Sequence, residues 1–199
     1  GGGWEAVAEF GRAVVAATAG LVAAYKPNFA FYGALGPGGW EALTRTLSHI
    51  PPSVPVILDA KVGEIGNTAE QYAAMLLDQL GADAVTVNPY MGADAVAPFA
   101  ARADRGVFLL CLTSNDGAAD LQLLEADGVP LYEHVARSAG SWNANGNMGL
   151  VVGATQAGAM ARIRELAPEL PFLVPGVGAQ GGDLQEAVRQ GGDKHGRGL

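Results

Sequence analysis

Two patterns of apolar and polar positions recur along the chain. Residues 4–18 place apolar side chains at helical spacing, and this spacing returns in several later segments. Between these segments lie short, continuous apolar runs rich in Val, Leu and Ile, which are typical of strands buried on both faces of a parallel sheet. The pattern therefore predicts a serial arrangement in which strands and helices take turns.

The boundaries of these segments follow from Gly, Pro and charged residues between the apolar runs. The predicted helices are 4–18, 36–50, 67–80, 92–103, 132–142, 157–167 and 183–190. The first predicted strand starts at about residue 21 and ends around Lys26 and Pro27, and the later ones are 55–61, 84–89, 106–113, 148–155 and 171–178. The segment TSNDGAADLQ, residues 113–122, is predicted to be a polar loop.

The expected fold class is α/β, as a (β/α)8 (TIM) barrel forming a single domain over residues 1–199. A closed barrel typically needs ~250 residues, whereas this chain has 199. We therefore expect a barrel that is incomplete at both ends, without its first and last strands. A smaller doubly wound sheet is the alternative.

Polar residues at the carboxyl ends of the predicted strands favour the barrel, because barrel enzymes place their functional groups at that rim. These residues are Lys26, Asp59, Lys61, Asn88, Thr113, Ser114, Thr155, Gly178 and Gln180.

Charge and composition exclude several function classes. The net charge of −8 disfavours binding to nucleic acid or to an anionic membrane surface. No apolar run approaches the roughly 18 to 20 residues of a membrane span, and the first ten residues lack the features of a secretion signal. A single cysteine, Cys111, cannot form an internal disulfide. We expect a cytoplasmic protein.

The stretch ILDAKVGEIGNTAEQY contains the densest set of chemically active side chains. Residues two apart in a strand share a face, so Asp59 and Lys61 are expected to point into the same cavity. Lys26 ends the preceding predicted strand and would lie beside this pair. Each charge would stabilise the ionised form of its neighbour. A structural ion pair at a strand end is the simpler interpretation of Asp59 and Lys61 alone.

Several motifs together resemble the orotidine 5′-phosphate decarboxylase family, in its bacterial branch with longer chains. DAKVGEIGNTAEQY is similar to the Asp-x-Lys-x-x-Asp-Ile core of that family, which is often followed by Asn-Thr. The resemblance extends in order through YKPNFAFYGALG, DAVTVNPYMG, LTSNDGAADLQ, WNANGNMGLVVGAT and FLVPGVGAQGGD. An isolated Asp-x-Lys motif is weak evidence, whereas these blocks in order cover nearly the whole chain.

The resemblance implies a metal-free and cofactor-free decarboxylation of orotidine 5′-phosphate to uridine 5′-phosphate in pyrimidine biosynthesis. Lys61 matches the residue that protonates the C6 carbanion. Asp59 matches the carboxylate beside the departing group, and Lys26 matches the residue that orients it. Glu64 matches a second acid that reaches the neighbouring site of a homodimer, and Thr68 matches a residue that does the same near the ribose.

Substrate contacts are implied at the later loops. Ser114 lies in the loop that meets the polar edge of the pyrimidine in the family. The stretch PGVGAQGG places Gly178, Gln180 and backbone N–H groups at a strand-to-helix turn, which is a typical phosphate site. Pro175 is expected to shape that loop.

Glu64 is a departure from the family, which normally carries Asp at this position. The extra methylene displaces the carboxylate by more than an ångström, a distance that can cost ~100-fold in rate. Two other functions therefore stay open: a catalytically silent nucleotide- or phosphate-binding relative, and a magnesium-dependent phosphosugar synthase or decarboxylase of the same superfamily.

Overall fold

The computed structural model describes residues 3–178 and 180–199. Ala179, which belongs to the expected phosphate-binding stretch, lies outside the described residues, as do residues 1 and 2. Within the described ranges, no helix has the length and apolar character needed to cross a membrane.

Helices and strands follow one another along the chain much as predicted. The helices are α1 (Trp4–Thr18), α2 (Phe29–Gly33), α3 (Pro37–Ser48), α4 (Gly66–Ala73), α5 (Ala93–Ala100), α6 (Leu131–Trp142), α7 (Ala157–Leu166) and α8 (Leu184–Gly191). A π-helical turn, Ala74–Gln79, continues α4, and short 3₁₀ turns occupy Asp116–Asp120 and Ala154–Gln156. The strands are β1 (Ile57–Val62), β2 (Ala84–Val87), β3 (Gly106–Leu112), β4 (Glu125–Ala126), β5 (Val129–Pro130), β6 (Met148–Val152) and β7 (Phe172–Leu173).

The main sheet has the strand order β1-β2-β3-β6-β7, and every neighbouring pair is parallel. On the free side of β1, the backbone at Tyr25 and Asn28 makes parallel bridges to Val56 and Asp59. The parallel segments therefore lie side by side in chain order. A doubly wound sheet would reverse its order at a switch point, so the observed order is that of a (β/α) barrel. The strands β4 and β5 form a separate antiparallel hairpin.

The core lies between the strands and the helices that follow them. The strand β6 is buried along its whole length, as is β2, which explains their uninterrupted apolar sequences. The largest fully buried side chains include Phe99, Leu109 and Leu150. This packed layer holds the carboxyl ends of the strands, where the functional side chains lie, in fixed positions.

The strand predicted to end around Lys26 and Pro27 is not a regular strand in the structure. The chain instead runs beside β1 only around Tyr25–Asn28, and α2 begins at Phe29. Pro27 has no N–H to donate to a ladder. The Asn28 side chain accepts a hydrogen bond from the N–H of Ala30 at 3.0 Å and so caps α2. These two residues turn an apolar run into a short edge segment and a helix.

One other predicted strand needs correction, and one hairpin was not predicted. The strand expected at 171–178 is regular only at Phe172–Leu173, because a proline-bounded and glycine-rich loop follows it. The hairpin of β4 and β5 lies between the predicted polar loop and α6, and its turn uses Asp127 and Gly128 at positive φ. Sequence patterning missed this hairpin because each of its strands has only two residues.

Candidate active site

The carboxylate of Asp59 is the centre of a charged cluster at the carboxyl end of β1. Lys26 donates a hydrogen bond from Nζ to Asp59 Oδ2 at 2.7 Å. Lys61 donates from its Nζ to the other oxygen, Oδ1. The structure thus brings together the three charged residues that the sequence placed in one site. With two ammonium groups and one carboxylate, the cluster carries a net charge of +1.

Burial differs across this cluster. Asp59 is 8% exposed, whereas the side chains of Lys26 and Lys61 are 35% and 46% exposed. Burial alone would raise the pKa of the Asp59 carboxyl, but the hydrogen bonds and charges of the two lysines outweigh it and hold the pKa below its usual value. Asp59 is therefore ionised at neutral pH, and both lysine side chains are partly exposed to solvent.

Lys61 reaches Asp59 from an unusual backbone conformation. Its φ of +49° lies in the left-handed region, which costs a non-glycine residue on the order of 1–3 kcal/mol. The pairing of β1 with β2 is irregular between Leu58 and Val62, and Lys61 lies within this bulge. The side chains of Asp59 and Lys61 meet in the structure, and a bulge rather than regular strand alternation produces this arrangement.

Thr86 of β2 is a site residue that the sequence analysis missed. Its side chain is buried, and its hydroxyl donates to Asp59 Oδ1 at 3.2 Å. The same hydroxyl accepts hydrogen bonds from the N–H groups of Ala60 and Lys61 at 3.0 and 2.9 Å. A threonine within the otherwise aliphatic strand AVTV was the available signal.

The loops after β3 and β7 meet through the predicted substrate-binding residues. The hydroxyl of Ser114 donates to Gln180 Oε1 at 2.7 Å. Gly176 of this loop has a φ of +98°, a backbone conformation that residues with side chains rarely adopt. Pro175 accepts a hydrogen bond from the N–H of Ala154 through its carbonyl oxygen at 2.8 Å, which ties this loop to the end of β6.

Gly178 lies in the same loop with a φ of +84° and is exposed. Asp183 precedes α8 as its N-cap, and its carboxylate accepts a hydrogen bond from the N–H of Glu186 at 2.9 Å. Within the loop itself, the N–H groups of Gly178, Gly181 and Gly182 donate to backbone carbonyl oxygens of the same loop.

Among the hydrogen bonds of the described residues, neither Glu64 nor Thr68 joins the charged cluster around Asp59. Glu64 Oε1 accepts a hydrogen bond from the N–H of Ile65 at 2.8 Å, and Thr68 is exposed on α4. In the loops after β1 and β2, Ile65, Tyr90 and Met91 expose apolar side chains to solvent. The loops after β1 and β2 thus present acidic, hydroxyl and apolar groups outward.

The described ranges contain no group of three or more His, Cys, Asp or Glu side chains placed to hold a metal ion. Cys111 is buried, and burial raises the pKa of its thiol to about 12. Its Sγ lies 3.3 Å from the carbonyl oxygen of Tyr132. These features fit a packed core residue.

Sequentially ordered parallel strands with a charged cluster at their carboxyl ends define a (β/α)-barrel protein with its site at the barrel rim. The model of the Orotidine 5′-phosphate decarboxylase / HUMPS family matches residues 6–197, and the chain belongs to this family.

Individual relatives show the same similarity. An orotidine 5′-phosphate decarboxylase of Azoarcus sp. is 53% identical over 197 residues, which cover 98% of this chain and 73% of that protein. Another, from Herpetosiphon aurantiacus, is 52% identical over 190 residues, covering 94% of this chain and 71% of that protein. The solved structure of the Leishmania donovani OMP decarboxylase matches with a TM-score of 0.94 and 45% identity, covering 98% of this chain and 76% of that one.

Proposed function

We propose that this protein decarboxylates orotidine 5′-phosphate to uridine 5′-phosphate in pyrimidine biosynthesis. The observation that carries the proposal is the cluster of Lys26, Asp59 and Lys61, gathered at the strand ends of a family member. Relatives about half identical to the chain bear the name of this activity.

The proposed step breaks the bond between C6 of the pyrimidine and its carboxylate. Carbon dioxide leaves, and the electron pair remains on C6 in the plane of the ring. Lys61 then transfers a proton from Nζ to C6, and solvent restores the ammonium group. The positive charges of the cluster are fixed before reaction, so they stabilise the carbanion without reorganising. No metal or organic cofactor enters this step.

Asp59 and Lys26 have supporting roles in this proposal. The ionised Asp59 carboxylate holds the Lys61 ammonium beside the reacting carbon and lies next to the departing carboxylate. Lys26 holds the second oxygen of Asp59 in place and faces the ribose. The lowered pKa of Asp59 supports these roles, because only the ionised form holds both lysines.

The remaining predicted residues bind the other parts of the substrate. Ser114 meets the polar edge of the pyrimidine, and Gln180, hydrogen-bonded to it, closes the site on the phosphate side. Gly178 and the backbone of its loop bind phosphate, while Pro175 shapes the loop through its carbonyl contact. The position of this glycine-rich turn after the last strand of the sheet supports this assignment.

A homodimer completes the site in this proposal. Among the hydrogen bonds of the described residues, neither Glu64 nor Thr68 joins the chain's own cluster, and Ile65, Tyr90 and Met91 expose apolar side chains in the loops after β1 and β2. A two-fold interface would cover these side chains. It would also bring Glu64 and Thr68 to the neighbouring site, where the lysines are still partly exposed.

A cytoplasmic location stays a prediction.

The direct test follows the ultraviolet absorbance of orotidine 5′-phosphate with the wild-type protein in excess chelator. The proposal expects steady loss of substrate at the same rate with and without chelator. Uridine 5′-phosphate binding without turnover would instead identify a silent relative. Turnover that stops in chelator and returns with magnesium would contradict the metal-free mechanism.

A further inference from the structure

The irregular pairing of β1 with β2 is centred on Thr86. Leu58 pairs with Val85, and Val62 pairs with Val87. Three residues of β1, from Asp59 to Lys61, therefore lie opposite the single residue Thr86. A bulge of this kind leaves backbone N–H groups without their ladder partners.

The hydroxyl of Thr86 supplies those missing partners. A threonine hydroxyl has one hydrogen to donate and two lone pairs to accept. Here the oxygen accepts hydrogen bonds from the N–H groups of Ala60 and Lys61, and the hydroxyl donates its hydrogen to Asp59 Oδ1. The hydrogen-bonding capacity of this buried group is thus fully used at the site.

We propose that Thr86 is a positioning residue of the active site, whose hydroxyl fixes both the bulge that carries Lys61 and the orientation of the Asp59 carboxylate. This inference rests on the proposed decarboxylase function and extends it to a residue that does not reach the substrate cavity, since Thr86 is only 1% exposed.

The geometry explains why the position of Lys61 depends on this hydroxyl. Lys61 occupies a left-handed conformation, and its N–H is held by Thr86 at 2.9 Å. Oδ1 of Asp59 binds both Thr86 and the Lys61 ammonium, whereas Oδ2 binds Lys26. Removal of the hydroxyl frees the backbone of Lys61 and one side of its carboxylate partner. Displacement of a catalytic group by about 1 Å can cost ~100-fold in rate.

The variant pair Thr86→Val and Thr86→Ser tests the proposal. Valine preserves the shape and removes the hydroxyl, so we expect kcat to fall by ~100-fold while KM and the affinity for uridine 5′-phosphate change by less than about threefold. Serine restores the hydroxyl and should return kcat to within a few-fold of wild type.

Thr46→Val is the matched control for loss of a buried threonine hydroxyl. Thr46 lies in α3, is buried, and donates to the carbonyl oxygen of Ala42 at 2.9 Å. Activity is measured at a temperature at which circular dichroism shows every variant to be folded. Under these conditions Thr46→Val should keep the wild-type kcat. An equal fall in kcat for Thr46→Val and Thr86→Val, or no fall for Thr86→Val, would overturn the proposal.

A second readout is independent of turnover. Carbon-13 NMR titration of the Asp59 carboxyl, assigned with an Asp59→Asn variant, should show a higher pKa in Thr86→Val, because one donor to the ionised form is lost. An unchanged pKa in that variant would contradict the positioning role. If the wild type fails to turn over orotidine 5′-phosphate, the proposed function falls, while this titration still decides the role of Thr86.

Should Thr86→Val fail to fold, Thr86→Cys replaces it, because a thiol is only a weak donor and acceptor. The proposal then expects kcat lower by about tenfold with product binding retained. A wild-type kcat in Thr86→Cys would overturn it.

Discussion

At the scale of single residues, the ionisation of Asp59 depends on two ammonium groups that approach it from different segments. Lys26 comes from the edge segment beside β1 and Lys61 from β1 itself. Their combined effect lowers the pKa of a carboxyl whose burial would otherwise raise it. The charged cluster is therefore a source of pH-dependent stability.

This linkage gives a prediction for acid unfolding. A carboxyl whose pKa is lower in the folded state stabilises the fold above its unfolded pKa of about 3.9, and that stabilisation is lost as the pH falls through the folded pKa. Lys26→Met should raise the pKa of the Asp59 carboxyl in the folded state. It should also lower the free energy of unfolding by about 1–3 kcal/mol at pH 7, between the values for exposed and buried ion pairs.

Urea unfolding of the wild type and Lys26→Met between pH 3 and pH 7 measures this difference. The gap in the free energy of unfolding should be largest above about pH 5 and should shrink toward pH 3. Lys194→Met, at an exposed lysine in the loop after α8, is the control and should follow the wild type. A gap that stays constant with pH would contradict the account of Asp59.

At the scale of elements, close backbone approaches hold the site loops together. Gly153 follows β6, and a Cβ atom there would lie 2.7 Å from the backbone nitrogen of Ser114. Real Cβ atoms are not found so close to backbone, so a larger residue must displace the loop that carries Ser114. Glycine at this position therefore serves the site more than the local turn.

Gly153→Ala should lower the proposed decarboxylation rate by ~100-fold through displacement of Ser114. Gly140→Ala is the matched control, since Gly140 is exposed in α6 with no atom within 4 Å of its added Cβ. That control should keep full activity and gain about 0.5–1 kcal/mol of stability. Steady-state kinetics and thermal unfolding of both variants check this, and wild-type kinetics for Gly153→Ala would refute it.

The elements also show what sequence reasoning can and cannot reach. Trp4–Thr18 was predicted correctly because a helix of 15 residues repeats its apolar spacing several times. The strand predicted to end around Lys26 and Pro27 is reduced to two isolated bridges, because Pro27 and the cap at Asn28 outweigh the apolar run. The polar residues at strand ends and the Asp-x-Lys motif are enough to find the charged cluster. Thr86 gives only the weak signal of a threonine in an aliphatic strand, since its role depends on an irregular pairing between two strands.

At the scale of the whole molecule, the proposed homodimer predicts complementation between two inactive variants. Lys61→Ala disables a chain's own cluster, and Glu64→Ala removes the acid that it lends to its partner. Mixed dimers then contain one intact site. Random mixing should restore about a quarter of the wild-type activity, since about half of the dimers are mixed and each has one working site of two.

The control mixture combines Lys61→Ala with Lys26→Ala, which both disable the chain's own cluster, so it should stay inactive. Activity assays after co-expression, together with sedimentation velocity, measure both outcomes. No recovery in the first mixture, although mixed dimers form and each parent is inactive, would show that Glu64 does not serve the partner's site.

The most direct test of the central claim compares turnover of orotidine 5′-phosphate by Lys61→Ala and by Lys194→Ala. Both variants lose one ammonium group, but only Lys61 lies beside Asp59. The account predicts that Lys61→Ala lowers kcat by about 100- to 10,000-fold, the range for loss of a general acid, whereas Lys194→Ala keeps the wild-type rate. A Lys61→Ala protein with more than about a tenth of the wild-type kcat would contradict it.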